Sequence, residues 1–263
     1  MVAQTLPQID VPADAAPPLR RLTFADITAA LQAGRADFMA APTQLLFLCI
    51  IYPAFGFVLA RAAAGGNLLP LVWPLISGFA LVGPLAALGL YEISRRREAG
   101  LATSWSDTFR VLQSPALMQI IGMGLIMAVI FALWLLTARG IFYATMGDVL
   151  HDGPRALLND VFSRSGGTAL LILGNLAGFF FAVLVLALSA ISLPMLLDRH
   201  VSLGVAIETS MRVFRENVQV MLAWGLVVAA GLAIGMATLF VRLAVTLPLL
   251  GHATWHLYKR VVV

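Results

Sequence analysis

Ala169-Leu-Leu-Ile-Leu-Gly-Asn-Leu-Ala-Gly-Phe-Phe-Phe-Ala-Val-Leu-Val-Leu-Ala-Leu-Ser-Ala-Ile-Ser-Leu-Pro-Met-Leu-Leu197 contains no ionisable side chain. Wound as an α-helix it would be about 44 Å long, more than enough to cross a hydrocarbon core of roughly 30 Å. The rest of the chain offers no water-facing body in which to hide it. Of the 263 residues, 60% are apolar and 11% charged, against roughly a quarter charged in a soluble domain. The stretch therefore reads as a transmembrane helix, and the chain as an integral membrane protein whose solvent for much of its length is lipid.

Working outward from that stretch, apolar blocks predict spans near Leu45 to Ala60, Leu68 to Ile93, Ala116 to Thr137, Thr168 to Leu197, Val218 to Gly235 and Ala237 to Tyr258. The last two are separated because Val218 to Tyr258 would be about 60 Å long as one helix, roughly twice the core. The break is expected near Gly235, with Gly231 or the segment up to Arg242 as alternatives. The fold class expected is all-α: a polytopic bundle of about six transmembrane helices. Residues 20–260 form its single membrane domain, and the proline-rich residues 1–19 a disordered tail. With no compact apolar core among the first 44 residues, no cleaved export signal is expected. Cys49 is the only cysteine, so no intramolecular disulfide is available.

The positive charges orient the bundle. An inside amino terminus puts 12 Lys and Arg residues in cytoplasmic segments, Arg95, Arg96 and Arg97 among them. Five lie outside, namely Arg61, Arg139, Arg155, Arg164 and Arg242. That bias predicts cytoplasmic amino and carboxyl termini in a multi-pass protein. Each segment ahead of spans one, three and five also holds an amphipathic stretch, near 23–40, 101–114 and 202–216. Leu101, Trp105, Phe109 and Leu112 recur at helical spacing, as do Leu203, Ile207, Met211 and Phe214. Such helices lie at the headgroup boundary, and Thr23 with Asp26 and Ser104 with Asp107 suit capping boxes. Either the chain repeats a unit of one interfacial helix plus a two-span hairpin three times, or its connecting helices are amphipathic independently.

Four runs carry a family resemblance. They are Arg21-Leu-Thr-Phe-Ala-Asp-Ile27, Leu31-Gln-Ala-Gly-Arg-Ala-Asp-Phe-Met-Ala-Ala-Pro42, Leu193-Pro-Met-Leu-Leu-Asp-Arg199 and Pro248-Leu-Leu-Gly-His-Ala-Thr-Trp-His-Leu-Tyr258. Together they resemble a bacterial family of integral membrane proteins known as a domain of unknown function, DUF2189, over nearly the whole chain after the tail, with the closing run the most specific. Arg35 departs from the family pattern, which commonly has Trp after the Gly. The resemblance implies a bacterial inner-membrane protein and transfers no activity.

Candidate chemistry is sparse. His252 and His256 share a helix face and would offer two ligands to a divalent metal, although no third ligand lies near them in sequence; alternatively they join Trp255 and Tyr258 in an interfacial aromatic belt. Arg242 lies in the last apolar block, where a charge marks either a functional site or a side chain that snorkels to the outer interface. Asn175, between Gly174 and Gly178, and the pair Gly231 and Gly235 read as close helix packing, with a polar lining for a solute path as the other reading. Pro53, Pro74, Pro84, Pro194 and Pro248 do not recur at equivalent places and read as kinks. The outer segment from Gly147 to Gly167 is expected to be a solvated loop of mixed charge. No phosphate-binding glycine loop, His-Glu-x-x-His, paired Cys or Gly-x-Ser-x-Gly occurs, so no catalytic residue, cofactor or nucleic-acid partner is expected. The function expected is that of a non-catalytic accessory or assembly component of a membrane complex, in contact with lipid and other subunits. The alternative is a carrier or channel for a small or lipidic solute.

Overall fold

The computed structural model describes residues 17–41, 69–72, 74, 75, 83–148, 153–238 and 241–263. Its named elements are helical: α1 Phe24–Ala40, α2 Leu88–Glu98, a 3-10 helix Trp105–Gln113, α3 Leu117–Met146, α4 Pro154–Ser163, α5 Ser165–Ser189, α6 Ser192–Arg199, α7 Leu203–Glu216, α8 Val218–Ala237 and α9 Leu243–Val261. Three stretches among the described residues are long and apolar enough to cross a membrane: α3, the α5–α6 pair and α8. These correspond to the third, fourth and fifth expected spans. The first expected span lies outside the described residues, and the second is described only in part, up to α2. The last block does form a helix, α9. Its second half carries His252, His256, Lys259 and Arg260 and is largely buried, so it reads less apolar than the other three.

The α5–α6 stretch breaks where its proline requires it. Pro194 has no N–H to offer the carbonyl one turn back, and the chain turns at Ala190 and Ile191. Ser210 of α7 covers the break: its hydroxyl donates to the Ala187 carbonyl at 2.7 Å and accepts from the Ile191 amide at 3.4 Å. A buried kink is tolerable because a neighbouring helix supplies the missing partners. Helix α8 ends at Ala237, just past Gly235, and α9 begins at Leu243, so the break lies in the segment up to Arg242, while Gly231 and Gly235 let α9 approach. A Cβ at Gly235 would stand 2.2 Å from the Leu243 side chain, and one at Gly231 3.0 Å from Leu250.

Two ends of the bundle differ. At one, α1, the end of α2, the 3-10 helix, α6, α7 and the end of α9 form a layer that also holds both ends of the described chain. Leu19 bridges to Val262, and the Arg20 amide donates to the Val261 carbonyl at 2.9 Å. Pro17 is fixed as well, since Arg212 donates to its carbonyl. At the other end, residues 154–163, read from sequence as part of a loop, are the amphipathic helix α4. Pro154 opens it, an ion pair of 2.9 Å joins Asp160 to Arg164, and Leu158 and Phe162 are exposed.

Both expected capping boxes form, at Thr23 with Asp26 and at Ser104 with Asp107. The three amphipathic stretches nevertheless use their apolar faces differently. The face of α1 with Ile27, Gly34 and Phe38 turns inward, whereas Leu101, Trp105, Phe109 and Leu112 are at least half exposed. In α7 the residues buried are Ala206, Thr209, Ser210 and Val213, one step round from the apolar line read in sequence.

Candidate functional site: a buried polar junction

Helix α1 lies directly on the backbone of α9. A Cβ at Gly34 would fall 2.6 Å from the Ala253 nitrogen and 2.8 Å from its Cα, so only glycine permits this approach. Three residues on, the same face presents Asp37, 5% exposed, to the second half of α9. On the third side Gly251 faces Leu90 of α2, where an added Cβ would meet the leucine side chain at 2.4 Å. Close backbones thus bring polar groups from three helices together around one buried carboxylate.

Asp37 is the hub. Its Oδ1 accepts from Arg97 Nε at 2.9 Å, and its Oδ2 accepts from the Ser94 hydroxyl at 2.5 Å and from His256 Nε2 at 2.8 Å. Burial alone would raise the carboxyl pKa; the hydrogen bonds from His256 and Ser94 outweigh it and hold the group below its ordinary range. An ionised carboxylate only accepts, so His256 carries its proton on Nε2. Ser94 spends its single proton on Asp37 and therefore accepts from His252 Nδ1 across 2.8 Å. His252 Nε2 is left buried without a partner, which is cheaper as a bare lone pair than as an orphaned N–H.

Three further carboxylates, Asp26, Asp198 and Glu98, extend the junction. Asp26, also buried, accepts from Arg20 at 2.5 Å and from Arg260 at 3.3 Å. Burial pushes its carboxyl up, and the Thr23 amide, Arg20 and the Thr23 hydroxyl bring it down to about 2. Asp198 accepts from the Tyr258 hydroxyl at 2.7 Å and from Lys259 at 3.3 Å. Trp255 donates its indole N–H to Glu98 at 3.2 Å. Trp255 and Tyr258 are fully buried, so they are interior hydrogen-bonding residues, not a surface aromatic belt. The four runs quoted for the family resemblance all meet here: Thr23 and Asp26 from the first, Gly34 and Asp37 from the second, Asp198 from the third, and His252 to Tyr258 from the last.

His252 and His256 do share a face, and their facing nitrogens are taken by Ser94 and Asp37. Among the described residues no group of three or more His, Cys, Asp or Glu side chains is placed to hold a metal. Asp37 is the residue that sequence reasoning missed, and its signal was a charge embedded in the apolar face of α1. Arg242 and Asn175 are far from this junction. Arg242 is exposed in the α8–α9 turn, ahead of α9 and not within it. Asn175 is exposed on α5 and donates to the Leu171 carbonyl of its own helix at 2.7 Å, so it makes no bond across helices. Arg139, inside α3, stacks over Tyr143 with its guanidinium carbon 5.2 Å from the ring centre.

Long apolar helices capped by one layer of buried ion pairs define an integral membrane protein. Residues 72–198 match the model of a family described as "Predicted integral membrane protein (DUF2189)", in agreement with the resemblance read from sequence. The match covers just under half of the 263 residues, so it is narrower than the near-complete coverage expected. Of the four runs, only Leu193 to Asp198 fall within it. No curated protein and no solved structure matches the chain.

Proposed function

We propose that the protein is a six-span, non-catalytic accessory or assembly component of a complex in a bacterial inner membrane, with both termini in the cytoplasm. Adjacency of Leu19 and Val262 supports an even number of crossings between them. Of the 17 Lys and Arg residues, 12 fall in the segments this topology puts inside. The buried layer is then the cytoplasmic face, and α4 lies at the outer surface.

The observation that carries the non-catalytic reading is the saturation of the buried acids. Asp26, Asp37, Glu92 and Asp107 each accept from an arginine, and general acid–base chemistry needs a group free to reach a substrate. Asn175 and Arg242, the polar residues a solute path would call on, are both exposed, and Asn175 spends its amide on the Leu171 carbonyl of its own helix. The test is extraction of chromosomally tagged protein in native-lipid polymer discs and identification of what co-purifies. A near-stoichiometric membrane protein is expected; a chain isolated alone that moves solute across reconstituted vesicles, and ceases to do so as Arg242→Ala, would replace this reading with a carrier.

A further inference from the structure

Beside the junction, and separate from it, lies an open cleft of about 240 Å³ whose walls include Glu92, Arg95, Arg96, Arg110, Gln113 and His200. Its charges do not cancel. Glu92 takes both Nε and Nη2 of Arg95, at 2.8 and 2.9 Å. Asp107 accepts from Arg110 Nε at 2.5 Å and stands 3.6 Å from Arg96 Nε. Three guanidinium groups thus share two carboxylates. Arg96 is the least satisfied: its Nε has no hydrogen-bond partner and its Nη2 makes one long contact of 3.4 Å with the Ala102 carbonyl. Arg110 makes no hydrogen bond beyond Asp107 among the described residues, and its side chain is half exposed.

The position of the cleft selects the ligand. Ser114 and Pro115, in its lining, stand just ahead of the membrane helix α3, which puts the arginines at headgroup level. Arg110 also shares the 3-10 helix with Trp105, Phe109 and Leu112, which are 58, 52 and 66% exposed. An apolar edge beside a guanidinium cluster is the arrangement of an interfacial element, acyl chains against one side and phosphate against the other. Arginine forks match phosphate oxygens in pairs, and the cleft volume suits a headgroup phosphate better than a drug-sized molecule.

We propose that this cleft binds a phosphate-bearing anion, supplied by the headgroup of an anionic phospholipid. The full-length protein in mild detergent is titrated separately with phosphatidylglycerol, phosphatidylcholine and inorganic phosphate, and bound molecules are counted by native mass spectrometry. Phosphatidylglycerol is expected to bind about tenfold tighter than phosphatidylcholine. Gln113→Glu puts a carboxylate into the cleft without breaking an ion pair and should weaken that binding about tenfold, as should Arg110→Gln. Gln32→Glu, of equal charge on the exposed face of α1, should leave it unchanged. Equal loss in Q113E and Q32E would overturn the site, and so would retention in Q113E and R110Q. Binding of inorganic phosphate, but not of phosphatidylglycerol, that is lost in Q113E would overturn the lipid source and assign the cleft to a soluble phosphate.

Discussion

The junction of α1, α2 and α9 and the apolar helices α3, α5 and α8 are built on opposite terms. In the junction, charges are buried and every carboxylate has a partner distant in sequence: Asp37 meets Arg97 and His256, and Asp198 meets Tyr258. In the apolar helices, large side chains such as Leu125, Leu136, Phe179, Phe180 and Leu226 are the exposed ones; Asn175 and Ser189 bond within their own helix, and Trp134 reaches out to the Pro74 carbonyl. Lipid as solvent makes outward leucine free of cost but leaves van der Waals packing as the main adhesive. Specific attachment is therefore concentrated where the chain leaves the bilayer. There, low dielectric strengthens paired charges, and a single missing partner becomes expensive.

The junction is most vulnerable at its hub. Asp37→Ala leaves Arg97 and His256, both partly buried, without their acceptor and should cost about 2–3 kcal/mol, measured as loss of thermal stability in detergent with α1 released to protease. Acid should produce a milder form of the same damage. Asp37 and Asp26 both have folded pKa values below the ordinary carboxylate value, so their contribution is complete above about pH 4. It is lost as pH falls through the depressed values, for Asp26 near 2. Melting temperature should accordingly drop below about pH 4, with a smaller drop in Asp37→Asn. Ser210→Ala strips the partner from the Ala187 carbonyl at the Pro194 break and should cost about 1–3 kcal/mol. Asn175→Leu, which removes only an intrahelical bond on an exposed face, should shift stability by less than about 0.5 kcal/mol. A large effect there would mean that α5 packs against another helix through that side chain.

Much of the apolar architecture was legible because it is local. An uncharged run long enough to span a bilayer states its own conformation, and the ends of α3, the α5–α6 pair and α8 fall close to those expected, although α3 runs nine residues beyond Thr137 and the fourth span breaks at Ala190 and Ile191. Capping boxes were legible for the same reason, being contacts three residues apart. The junction was not, since its bonds join Asp37 to Ser94 and His256 across 57 and 219 residues. His252 and His256 could be placed on one face, but what they face depends on the close approach that Gly34 allows. Trp255 and Tyr258 were misjudged as surface aromatics because their amphipathic character suits an interface and a hydrogen-bonded interior equally well. Helix α4 was hidden by its mixed charge, which its ion pair and exposed apolar edge reconcile with helical order.

Buried polar groups in the junction act on each other and clamp α1 to α9. A double-mutant cycle between Asp37→Asn and His256→Gln, read by thermal unfolding of the full-length protein, tests it most directly. A coupling of about 1–3 kcal/mol is predicted. Additive effects, with no coupling between the two positions, would contradict it.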